Sequence, residues 1–203
     1  MSPADTDPST DPGIEAAART IREGGLVVYP TETVYGLGAD ALNPDAVESV
    51  FEAKGRDRSK PLSLGVPNVD RALEFTTPSE REIRFMRAFL PGPVTVVVPK
   101  RESVPDGLTG GRETVGVRVP DHEVALALFE AAGTPVTATS ANRSGAGSSR
   151  TVDEVDPAIR ERATVVDAGE TPGTESTVVD VRANEIVREG AFAGAIREWL
   201  DAE

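Results

Sequence analysis

The apolar residues of this chain arrive in short bursts. Residues 26–29, 62–66, 94–98, 115–119, 135–139 and 178–181 form runs of four or five, most of them valine-rich. A run that short, bounded by glycine, proline or hydroxyl-bearing residues, crosses a sheet once. Between these runs lie longer segments with one apolar helical face. Ile14, Ala17, Ala18 and Ile21 make the first, and Val47, Val50 and Phe51 the second. Ile83, Met86 and Leu90 make a third, with further helices at 124–132 and 193–200. Asp11-Pro12, Asn43-Pro44 and Pro78-Ser79 are start signals, and Gly24-Gly25 is a stop. Residues 164–167 add a strand, and 186–188 folds back on 178–181 as a hairpin through Arg182-Ala-Asn184. Strands and helices mix without repeat or long linker. That predicts an α/β domain built on a mixed sheet with flanking helices.

The 203 residues suit one domain at 13–203 behind a polar, mobile tail at 1–12. Without cysteine there is no disulfide framework or thiolate metal site. The single histidine, His122, cannot build a zinc site alone, and its place after Pro120-Asp121 suits a helix cap. No apolar run nears the ~20 residues that span a membrane, and none forms a signal core at the start. A soluble, cytoplasmic protein is expected. Its 34 acidic residues are dispersed, and the net charge of -13 opposes a broad nucleic-acid surface. With so few lysines, that acidity predicts a halophilic protein of a high-salt cytosol.

Three lysines stand in the whole chain, and two bracket Lys54-Gly-Arg-Asp-Arg-Ser-Lys60. Four cations against Asp57 give this segment a local balance of +3. It is a candidate phosphate site without a Walker A pattern, or else a solvated helix end.

Four other polar stretches follow apolar runs. In Tyr29-Pro-Thr-Glu-Thr-Val-Tyr-Gly-Leu-Gly38, Thr31 and Thr33 can bind a small polar ligand or satisfy local backbone. Glu32 can take an ammonium or help hold a metal. Arg118 alternates with Val117 and Val119, so it points away from them. If both faces of its strand are buried, it needs an anionic partner, from a side chain or a ligand. The stretch 137–148 sets Ser140, Asn142, Ser144 and Ser148 among glycines, as a phosphate cradle or a flexible loop. Finally, Ser176 precedes one strand of the hairpin and Arg188 ends the other. With no nucleophile–base pair, chemistry by positioning and charge stabilisation remains.

Taken together, seven stretches resemble the YrdC-like family, the threonylcarbamoyl-AMP synthases of tRNA modification. They are YPTETVYGLGADA, KGRDRSKPLSL, PGPVTVVV, TVGVRVPDH, PVTATSANRSG, ESTVVD and IVREG, in the family's order. The resemblance implies a twisted mixed sheet enclosing a basic cavity, in the single-domain form. It implies that L-threonine, bicarbonate (or CO2) and ATP give threonylcarbamoyl-AMP and pyrophosphate, with Mg2+ accompanying the ATP. A downstream transfer complex would then modify adenosine 37 of tRNA. Carried over by motif, Thr33, Arg118, Ala138 and Ser176 would hold L-threonine. Lys54, Arg56, Ser140 and Asn142 would form the catalytic signature. Arg56, Lys60, Thr114, Ser140, Ser148 and Arg188 would contact ATP. No side chain is expected to ligate a metal. Gly65 stands where some members place a histidine near the threonine. A paralogue with another carbamoyl acceptor and an RNA-binding module are the alternatives. Aromatics at 4% weaken the latter.

Overall fold

A computed structural model describes residues 11–202. The tail expected at 1–12 lies outside them except for Asp11 and Pro12, which begin the first helix. Nine strands form one sheet: β1 (Leu26–Tyr29), β2 (Gly36–Gly38), β3 (Ser63–Gly65), β4 (Val94–Pro99), β5 (Thr114–Arg118), β6 (Val136–Ser140), β7 (Ala163–Val165), β8 (Thr177–Asp180) and β9 (Glu185–Arg188). Their order is β7-β1-β2-β6-β3-β5-β4-β8-β9. β1 with β7, β3 with β5 and β4 with β8 are parallel, and the other neighbours are antiparallel. The sheet is therefore mixed, as the alternation of elements predicts.

The helices are α1 (Pro12–Arg22), α2 (Pro44–Lys54), α3 (Val69–Ala72), α4 (Glu80–Phe89), α5 (Asp106–Thr109), α6 (Glu123–Ala132), α7 (Pro157–Arg160) and α8 (Ala193–Ala202). Their ends are capped as the sequence signals. Asp11 accepts from Gly13 N, and Asn43 from Asp45 N and Ala46 N. Ser79 and Glu82 close a reciprocal capping box on α4. His122 is the N-cap of α6 by position, but its side chain makes no capping hydrogen bond.

Three apolar clusters cover the sheet. α1 and α6 pack Ile14, Ile21, Leu128 and Phe129 on Val27 and Tyr29. α2, α5 and α7 pack Val47, Phe51, Leu108 and Ile159 with Leu26 and Val28. β1 is thus buried on both faces, which is why it reads as an unbroken apolar run. α4 and α8 bring Phe85, Met86, Ile196 and Leu200 to Val94, Val96, Val98, Val117 and Val179. Alternation then turns Thr95 and Val97 of β4, and Gly116 and Arg118 of β5, to the other side.

Candidate active site

That other side is a cavity of about 450 Å³. Its wall is read off every second residue of the strands: Ser63 of β3, Thr95 and Val97 of β4, Thr114, Gly116 and Arg118 of β5, Ala138 and Ser140 of β6, and Val178 of β8. Small side chains keep it open. A Cβ on Gly116 would lie 2.6 Å from Ser63 Oγ and 2.8 Å from Thr95 Cγ2. The charged residues on the wall are Arg56, Lys60, Arg112, Arg118 and Arg188, with Glu175 as the carboxylate.

Arg118 is buried, and its anionic partner is a side chain. Nη2 donates to Glu32 Oε1 at 2.8 Å and to Thr33 Oγ1 at 3.5 Å, and Nη1 to Val94 O at 3.3 Å. Burial pulls its pKa down, and Glu32 pulls it back up. Glu32 Oε2 is buried without a hydrogen-bond partner. Thr31 satisfies its own turn, accepting from Thr33 N at 3.1 Å and Val34 N at 3.2 Å. Thr33 also lines the cavity.

Lys54 is placed differently from the expectation. It ends α2, where Gly55 in the left-handed conformation closes the helix (φ 55°). Its side chain is buried and absent from the cavity wall. Nζ donates to Ser140 O and, at 2.7 Å, to Asn142 O. Burial, then Arg56, push its pKa down to about 7, while the two carbonyls favour the ammonium. Asn142 is also off the wall, and its Nδ2 donates to Arg143 O at 2.9 Å and Ala146 O at 2.7 Å. Both donate to backbone carbonyls at the end of β6 and in the loop that follows it, while Asn142 Oδ1 is buried without a hydrogen-bond partner.

Thr33, Arg118, Ala138, Ser176, Arg56, Lys60, Thr114, Ser140, Ser148 and Arg188 do come together on the wall. Arg56 donates to Lys60 O and Pro61 O, both at 3.0 Å. Burial and Arg188 lower its pKa. Arg188 donates to Ser176 O at 2.8 Å and Ser176 Oγ at 3.0 Å. Ser148 donates to Glu175 Oε1 at 3.3 Å. A Cβ on Gly65 would lie 2.8 Å from the ring of Phe129, which itself lines the cavity. The aromatic ring occupies the space a larger residue at 65 would need. Arg112, Thr95 and Ser63 went unread as site residues. Strand alternation alone could have found the last two.

The protein is thus an α/β domain on a twisted mixed sheet, with a cavity lined by hydroxyls and cations on one face. The chain belongs to the Sua5/YciO/YrdC family, whose model, described as telomere recombination, matches residues 19–190. The threonylcarbamoyl-AMP synthase of Pyrococcus abyssi (strain GE5 / Orsay) is 46% identical over 172 residues, 83% of this chain and 50% of that protein. That of Thiobacillus denitrificans (strain ATCC 25259 / T1) is 38% identical over 192 residues, 93% of this chain and 100% of that protein. The crystal structure of P. abyssi Sua5 complexed with L-threonine superposes with a TM-score of 0.82 at 43% identity, over 87% of this chain and 54% of that one. This chain thus spans about half the length of the P. abyssi protein and all of the T. denitrificans one.

Proposed function

We propose that this protein is an L-threonylcarbamoyladenylate synthase. The observation that carries the reading is the company kept on one cavity wall. Arg118, Thr33, Ala138 and Ser176 suit an amino acid, and Arg56, Lys60, Thr114, Ser140, Ser148 and Arg188 suit a nucleotide. The relatives' names and the threonine complex of P. abyssi Sua5 support it.

Arg118 keeps N–H groups beyond those given to Glu32 and Val94, and these would take the threonine carboxylate. The threonine amine and bicarbonate condense to a carbamate with loss of water. A carbamate oxygen then attacks the α-phosphorus of ATP, and the α–β bridging oxygen leaves with pyrophosphate. Arg56 and Lys60 would offset charge as it gathers on the departing phosphates. No protein base is needed for the attack, because the carbamate is already anionic. Lys54 would act one step removed, holding the Ser140 and Asn142 carbonyls so that Ser140 faces the nucleotide. Among the described residues, no group of three or more His, Cys, Asp or Glu side chains could hold a metal ion. Mg2+ would accompany the ATP and offset charge on its phosphates. The product is an activated mixed anhydride, which a downstream transfer complex would pass to adenosine 37 of tRNA.

The test is pyrophosphate release from MgATP in high-salt buffer, with L-threonine and bicarbonate each present or omitted. Release that needs both is expected. Release without threonine, or none from folded protein, would point to a paralogue with another acceptor or to a binding module.

A further inference from the structure

Of the cations on the cavity wall, three are committed within the protein. Arg118 is given to Glu32, Arg188 to Ser176, and Arg56 to the Lys60 and Pro61 carbonyls. Arg112 and Lys60 are different. Both are exposed, both line the cavity, and among the described residues neither side chain has a hydrogen-bonding or ion-pairing partner. Lys60 feels Asp57 only through space. In a chain of net charge -13, two uncommitted cations facing one cavity are conspicuous.

Their backbones are nonetheless fixed. Thr109, fully buried, donates from Oγ1 to Arg112 O at 2.9 Å. Arg56 holds the carbonyl of Lys60 at 3.0 Å. The two loops are also stitched to each other. Leu62 N donates to Leu108 O at 2.8 Å. Gly110 sits so close that a Cβ there would lie 3.1 Å from both Arg58 O and Ser59 O. These contacts set the loop before β5 against the loop after α2.

We propose that Arg112 is a further nucleotide contact of this chain, joining Lys60 of the basic loop on the β- and γ-phosphates of ATP and on the pyrophosphate they become. A guanidinium fork with an ammonium suits adjacent phosphate groups, the fork binding two oxygens and the ammonium acting as a point charge. Glu175, the carboxylate on the wall, is engaged with Ser148 and Arg188 of other elements. The proposal rests on the synthase reading for the identity of the nucleotide.

Calorimetric titration of the full chain with inorganic pyrophosphate, ATP and AMP tests it, on wild type, Arg112→Ala, Arg112→Lys and Arg182→Ala. Arg182 is an exposed cation on the β8–β9 turn, away from the cavity wall, and serves as the control for net charge. Arg112→Ala should weaken pyrophosphate and ATP binding roughly ten- to a hundredfold, as expected for a lost charge-assisted contact. AMP binding should not change, Arg112→Lys should fall between, and Arg182→Ala should match wild type. Equal pyrophosphate affinity in wild type and Arg112→Ala would overturn the proposal. So would parallel losses for AMP and ATP, which mark a general distortion. Wild-type protein that binds pyrophosphate through Arg112 but forms no adenylate would retain the Arg112 contact and sink the synthase reading instead.

Discussion

Glu32→Gln separates the two jobs of the buried pair beneath the cavity. The Arg118 and Glu32 side chains are 8% and 16% exposed, with 2.8 Å between Nη2 and Oε1. Removing one partner of a buried ion pair costs about 3–5 kcal/mol, because the other charge stays behind uncompensated. Glutamine keeps the shape and an amide oxygen that Arg118 can still reach. Residual exposure of Glu32 screens part of the loss, so about 2–3 kcal/mol is expected. In a chain of this size each kcal/mol moves the melting temperature by about 2–4 °C, giving a fall of roughly 4–12 °C. L-threonine should then restore more to the variant than to wild type. Its carboxylate would meet a guanidinium no longer shared with Glu32, and ligand at a hundred times Kd adds about 2.7 kcal/mol. The assay is thermal unfolding followed by circular dichroism at fixed high salt, with and without L-threonine. A melting temperature within about 1 °C of wild type would refute the energetic reasoning. A smaller threonine shift in the variant would refute the placement of the carboxylate on Arg118.

Other expectations are more local. The Lys54 pKa falls from 10.5 in the unfolded chain to about 7 in the fold, so the unfolded state binds more protons between those values. Stability should rise with pH across that window by up to about 1.4 kcal/mol per unit, and urea midpoints of Lys54→Met should lack that rise. A wild-type profile no steeper than that of Lys54→Met would contradict the burial. Gly116→Ala puts a methyl group 2.6 Å from Ser63 Oγ, so it should cost about 1–3 kcal/mol in urea unfolding and weaken ATP binding. Ser79→Ala removes the α4 capping box and should cost about 1 kcal/mol while leaving ligand affinity alone.

Much of the fold is legible in residue order because the strands are short and valine-rich and the helices carry their own caps. β2 escapes that reading. Two of its three residues are glycine, and its pairing comes from β1 and β6 rather than from its own propensity. α3, α5 and α7 have four residues each, less than a helical face needs to show a period. The site divides along the same physical line. The direction of Arg118 follows from alternation, but its partner Glu32 is 86 residues away. The scarcity of lysine marks Lys54 as special. Its acceptors at Ser140 and Asn142 belong to another element, so composition cannot tell a phosphate ligand from a buried clamp. Arg112 stays hidden for the opposite reason. It resembles any exposed arginine until the fold places it, with Lys60, among the residues that line the cavity.

The most direct test of the central claim is to follow the carbon. The protein would be incubated with MgATP, L-threonine and 13C-labelled bicarbonate, and the nucleotides resolved by mass spectrometry. The account predicts threonylcarbamoyl-AMP heavier by one mass unit than the product from unlabelled bicarbonate, formed in step with pyrophosphate. Pyrophosphate release with no labelled adenylate, or an adenylate of threonine without the added carbon, would contradict it.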